Sequence, residues 1–153
     1  MRPCDLTVDP GAPHRFDRAG TLENMAAPGE TDLAAMVSAL AVHRRPGVFA
    51  YIAVEVPTPG LIAAAHAVVK EGRLTTIVLP VEAAERSGQA TDAQFAWLTL
   101  TVQSSLDAVG LTAVVSARLA EIGIPCNVLA GYHHDHLLVP VDRVDDAISA
   151  LNT

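Results

Sequence analysis

The sharpest chemical feature of the sequence is the run His133-His134-Asp135-His136. Side chains alternate along extended backbone, so His134 and His136 project from one face and Asp135 from the other. Two imidazoles at that spacing can supply two metal ligands. A third does not follow, because Asp135 points away, Cys126 sits in an apolar run, and His14, His43 and His66 are scattered. No metal and no cofactor is therefore expected. A structural or ligand-contacting role for the run is the better expectation. Ser104 or Ser105 with a nearby histidine would imitate a nucleophile and its base. However, the sequence has no Gly-x-Ser-x-Gly turn and no phosphate-cradling glycine loop. Without an assembled constellation it does not read as an enzyme.

The 153 residues suit one compact domain or two very small ones. Half are hydrophobic, which allows a sizeable core. Only 4% are aromatic, so that core must be mostly aliphatic. Ten basic against 17 acidic residues give a net charge of −7, which works against binding a phosphate backbone. The short basic cluster His43-Arg44-Arg45 reads as a solvated helix end. Cys4 and Cys126 make no disulfide framework, so a reduced, cytoplasmic protein is expected. The longest nearly apolar run, Leu61 to Val69, is too short to span a bilayer, and the N-terminus lacks a signal-peptide pattern.

These residues need elements to position them. Residues 1–29 are rich in proline and glycine and read as a flexible extension, with Met25 an alternative start. Thr31 is the expected N-cap of a helix with Leu33, Met36, Val37 and Leu40 on one face, ended by Pro46-Gly47. Val48 to Val56 reads as a strand. Ile62 to Lys70 is either an Ala-rich helix or a strand paired across Glu71-Gly72 with Leu74 to Leu79, the β-branched residues favouring the hairpin. Val81 to Ser87 is a short helix closed by Gly88. Then follow a strand (Phe95 to Val102), a helix (Val109 to Ile122, stopped by Gly123), strands at Ile124 to Ala130 and His134 to Val141, and a last helix capped by Asp142.

This β-α-β-β-α order is that of a ferredoxin-like α+β fold, an antiparallel sheet with helices on one face. Alternation puts Ala96, Leu98, Leu100, Val102, Ile124, Cys126, Val128, Leu137, Val139 and Val141 under the helices. The open face then collects Trp97, Thr99, Thr101, Asn127, Leu129, His134, His136 and Leu138. That face is too apolar to be merely solvated. The first half of the chain, or a partner subunit, is expected to pack against it.

Three stretches carry a resemblance: Ser104-Ser105-Leu106-Asp107-Ala108-Val109-Gly110-Leu111-Thr112-Ala113, Gly123-Ile124-Pro125-Cys126-Asn127-Val128, and Gly131-Tyr132-His133-His134-Asp135-His136. Together with the opening Gly29-Glu30-Thr31-Asp32-Leu33, they resemble ACT domains, and more closely a bacterial family of small stand-alone tandem ACT-like proteins. The resemblance spans about residues 29–152. It implies an ACT module at 93–153 paired with a variant ACT-like module at 30–92. It also implies a regulatory or sensor protein that binds a small molecule, an amino acid. The open face makes a homodimer the expected assembly. An interaction or assembly module without a small ligand is the alternative. By the resemblance, the ligand loop comprises Ser104, Ser105, Asp107, Val109 and Gly110, facing Asn127 and Val128, with Trp97, His134, Asp135 and His136 as ligand or interface residues. The chemistry is compatible: a helix starting near Val109 offers unpaired amides to a carboxylate. Gly110 permits close approach. Asp107 either meets an ammonium group or caps the helix.

Overall fold

The computed structural model describes residues 29–152. Apart from Gly29, the expected N-terminal extension, with Cys4, His14 and Met25, lies outside the described residues. The chain begins with α1 (Leu33–Ser38) and β1 (Val42–Arg44). It continues as β2 (Phe49–Val54), α2 (Pro59–Ala64), β3 (Ala67–Glu71), β4 (Leu74–Pro80) and α3 (Val81–Arg86). The same βαββα order then repeats as β5 (Phe95–Leu100), α4 (Leu111–Glu121), β6 (Asn127–Ala130), β7 (Asp135–Pro140) and α5 (Val144–Leu151).

All strands join one antiparallel sheet in the order β3-β4-β2-β5-β7-β6, with β1 also on β5. The two repeats are therefore arranged as mirror sequences about the β2–β5 seam. At that seam Phe49 pairs with Phe95. Along the same edge of β5, Val42, His43 and Arg44 pair with Leu100, Thr99 and Leu98. Arg45-Pro46-Gly47-Val48 kinks what would otherwise be one continuous strand. Gly47, at φ 100°, takes a backbone conformation that L side chains resist.

The helices cover one face in two separate cores. Met36, Leu40, Leu98, Leu100, Leu111, Val115, Leu119, Leu137, Ala147 and Leu151 belong to the larger core. Ile52, Leu61, Ile77, Leu79, Ala83 and Ala84 form the smaller. On the opposite, helix-free face Phe49 and Val78 meet Trp97 and Leu138. The face expected to need cover is thus covered partly by the first half of the chain, which sits beside it edge to edge. Residues 33–44 precede the first repeat in sequence yet pack with the second.

Several local expectations are corrected. Asp32, not Thr31, caps α1, its Oδ1 accepting from the Ala35 amide at 3.0 Å. The first helix ends at Ser38, well before Pro46-Gly47, because the chain turns to place β1 on the edge of β5. His43 and Arg44 lie in β1, with Arg45 directly after it, so this cluster is no helix end. The 62–70 stretch holds both candidates in series: a helix through Ala64 and then a strand. The hairpin turn is Gly72-Arg73, since Glu71 still pairs with Leu74. The helix placed at Val109 starts at Leu111, because the left-handed Gly110 sets its N-terminus. Asp142 caps nothing: Pro140 leads into a 3-10 turn at Val141–Arg143, and neither this turn nor α5 has a side-chain cap.

Candidate functional site

Ser104 to Gly110 link β5 to α4. The residues Gly29 and Glu30 lie across the start of this loop as a strap. The Glu30 amide donates to the Gln103 carbonyl at 2.8 Å, and the Ser105 amide donates to the Glu30 carbonyl at 3.0 Å. Ser105 organises the turn that follows: its carbonyl accepts from the Ala108 amide at 3.0 Å and its Oγ from the Asp107 amide at 3.3 Å. Asp107 is exposed and does not cap α4, whose N-cap Gly110 makes no side-chain bond. Its carboxylate enters no ion pair among the described residues. Val109 is 81% and Leu106 67% exposed. Gly110 has φ 103°, and a Cβ there would meet Leu33 Cδ2 at 2.8 Å. The side of Gly110 on which close approach was anticipated is thus already lined by Leu33 of α1.

Ser104 donates its hydroxyl to Asp135. Burial pushes the Asp135 carboxyl above its ordinary value, and the Ser104 bond partly counters this. The loop is therefore brought to the β6–β7 turn, where Tyr132 is 75% exposed. Asn127 and Val128 start β6, three and two residues before Ala130, the partner of Asp135. Their side chains diverge. Val128 packs against the helix-side core, while Asn127 Nδ2 donates to the Leu138 carbonyl at 3.4 Å. Only Asn127 can offer its side chain on the helix-free face; Val128 can offer its backbone. A cleft of about 630 Å³ adjoins the strap, lined in part by Glu30, Met36, Thr101 and Gln103.

Of the remaining candidates, His136 packs on Trp97, which is 3% exposed. The Trp97 ring lies 5.3 Å from Phe49, 5.8 Å from His66 and 5.1 Å from His136, and the Arg45 guanidinium sits 5.3 Å over it. His136 Nδ1 is 3.0 Å from Thr99 Oγ1. Burial, followed by the charges of Arg45 and His134, pushes the His136 pKa down to about 4. His66 is lowered by burial and Arg45, and His134 by burial and His133. Burial raises the Cys126 thiol, which disfavours a reactive thiolate. Among the described residues no group of three or more His, Cys, Asp or Glu could hold a metal ion. No described helix is long and apolar enough to cross a membrane.

Sequence reasoning missed Arg45, His66 and Phe49 as neighbours of Trp97. They come from the other half of the chain, and only the β2–β5 seam and the kink after β1 deliver them. No local spacing signals that meeting.

This architecture is that of two ferredoxin-like modules sharing one sheet. The ACT-domain family profile matches residues 92–153. A Vibrio cholerae protein of unknown function, a possible transport protein, is 34% identical at a TM-score of 0.71, over 78% of this chain and 93% of that one. The chain belongs to the ACT-domain family. An Agrobacterium tumefaciens protein shares the fold at TM-score 0.56 and 16% identity, over 74% of this chain and 87% of that one. The ligand-free regulatory subunit of aspartate kinase from Thermus thermophilus does so at 0.52 and 12% identity, over 73% and 94%. No curated protein matches the chain.

Proposed function

We propose that this protein is a small-molecule-binding regulatory or sensor protein whose ligand is an amino acid held at the Ser104–Gly110 loop. The observation that carries the reading is architectural. Two βαββα modules share one sheet, and this arrangement extends over 94% of a chain that is itself a regulatory subunit. The loop offers complementary chemistry. The α4 amides lack a capping side chain and suit the ligand carboxylate, and the unpaired Asp107 suits its ammonium group.

A homodimer is the assembly this reading favours. Leu106, Val109 and Tyr132 are exposed apolar side chains on two loops that the Ser104–Asp135 bond joins. A second copy seated there would bury them and enclose the ligand. Assembly through the same loops with no small ligand is the competing function.

A thermal-shift screen of the twenty amino acids tests the proposal. One or a few should raise the melting temperature by linkage, and Asp107→Ala should remove the shift without altering the melting of the free protein. No shift with any amino acid overturns it. Gly110 is a poor probe, because any side chain there strikes Leu33 whether or not a ligand binds.

A further inference from the structure

We infer that the helix-free face carries a separate binding site at the seam between the two modules, for a small organic monocarboxylate held by Arg45, His66 and the Trp97 indole N–H. The inference does not rest on the amino-acid reading of the Ser104–Gly110 loop.

The first observation is an orphan donor. Trp97 Nε1 is buried and has no hydrogen-bond partner, and it is the buried side-chain polar atom of which this is true among the described residues. Buried polar groups are ordinarily satisfied, and leaving one unmade costs more than a typical bond gains. An exception in the middle of a well-packed cluster needs a cause, and an absent acceptor is the direct one.

The second observation is the surplus of donors around it. Arg45 follows Arg44, the partner of Leu98, and its amide donates to the Trp97 carbonyl at 2.8 Å, so it continues the register of β1 onto Trp97. Its guanidinium enters no ion pair among the described residues. Its Nη1 bonds His66 Nδ1 at 2.9 Å. A guanidinium only donates, so His66 Nδ1 must accept, and the ring proton is fixed on Nε2. That leaves His66 Nε2–H as a further donor. Both side chains are exposed, so a solute reaches them without unfolding anything. Arg45 is long and paired with no carboxylate among the described residues, so its guanidinium is free to shift from the indole face toward a carboxylate at the ring edge.

The third observation is the sign of the surroundings. Cross-strand partners share a face, so His43, Thr99 and His136 lie in one row and Arg45, Trp97 and Leu138 in the next. The carboxylates on this face, Glu55 and Glu71, lie at the far ends of β2 and β3. Glu55 is bound to Arg73 and Glu71 accepts from Thr76. The site therefore has one permanent positive charge, the rings of His66 and His136 held toward the neutral form by burial and by Arg45, and no competing anion among the described residues. One charge matches a monoanion, and the planar guanidinium fork matches the two oxygens of a carboxylate. A phosphate dianion would be left half-neutralised beside a buried aromatic cluster, at a desolvation cost.

Trp97 is the sole tryptophan, so a nitrogen-15-labelled sample gives a single indole N–H resonance. Sodium acetate is titrated against sodium chloride at matched ionic strength. Acetate should move the resonance downfield with saturation, and chloride should not. Arg45→Gln should weaken the response about tenfold or more, as expected for loss of a charge-assisted bidentate contact. Arg45→Lys should retain only part of it. Both variants alter an exposed side chain, and unchanged thermal melting verifies their fold. Asp107→Ala, which disables the loop, should leave the acetate response intact. The inference is overturned if the resonance ignores acetate, follows chloride equally, answers only to inorganic phosphate, or shifts only with protein concentration, which would mean that a second copy occupies the face.

Discussion

His136 is kept neutral by the packing of its ring, and linkage gives that a sign. Its pKa falls from 6.5 in the unfolded chain to about 4 in the folded one. Above pH 6.5 both states are neutral there. As pH falls from 6.5 towards about 4, the unfolded chain takes up a proton that the folded chain refuses, so stability declines across that window. With solvent screening of a half-buried ring allowed for, the loss is about 2 kcal/mol. His66 and His134 are lowered too and add in the same direction. Asp135 is raised and opposes them at the acid end. Urea denaturation across this range should therefore show a falling midpoint, and His136→Gln should flatten the fall. Gly110 supplies a second residue-level expectation. Gly110→Ala combines a left-handed backbone with a contact on Leu33 and should cost about 2 kcal/mol. Adding Leu33→Ala should relieve only the contact, so a double-mutant cycle should show favourable coupling. The alternation that paired His134 with His136 was readable from spacing alone. The left-handed start of α4 was not, because the apolar Val109 looks like a first helical residue, yet it faces solvent.

The elements show where sequence patterns stop being informative. The strand faces of the second repeat were legible because aliphatic residues recur at every second position from 96 to 102, and these join Leu137 and Val139 in the larger core; the burial of Trp97 and Leu138 on the other face was not legible from that period. β1 was illegible: three residues, two of them exposed, carry no period, and their extended backbone is imposed by the free edge of β5. α1 was legible as a helix but not as to destination. Met36 is fully buried in the larger core, whose other buried members, Leu40 apart, run from Ala96 to Leu151. Met36→Ala should accordingly cost about 3 kcal/mol, the usual size for such a truncation, as measured by chemical denaturation. The strap is tighter still. A Cβ on Gly29 would lie 2.4 Å from the Ser105 amide nitrogen, so Gly29→Ala must lift Glu30 off the loop. Hydrogen exchange at the Ser105 amide should accelerate while amides in β4 keep their protection.

At the scale of the molecule, the two cores are held together by the β2–β5 pairing and the cluster of Phe49, Val78, Trp97 and Leu138. Trp97→Ala should cost about 4 kcal/mol, more than a surface interface residue would, and should lower cooperativity between the halves in a melting experiment. No composition or period announced this seam, since its residues are far apart in sequence and each reads locally as an ordinary strand position. The kink at Arg45-Pro46-Gly47-Val48 has one further meaning. The larger core takes nothing from residues 46–94, and the smaller takes everything from within them. Chain connectivity leaves the second module at Arg45 and rejoins it at Phe95, on neighbouring positions of one antiparallel ladder. The first module is thus an insertion into a discontinuous domain, and its two junctions lie side by side. Replacing the segment between Arg45 and Trp97 by a two-residue turn would convert β1 and β5 into a hairpin, leaving a single module that is whole on its helical side and bare around Trp97.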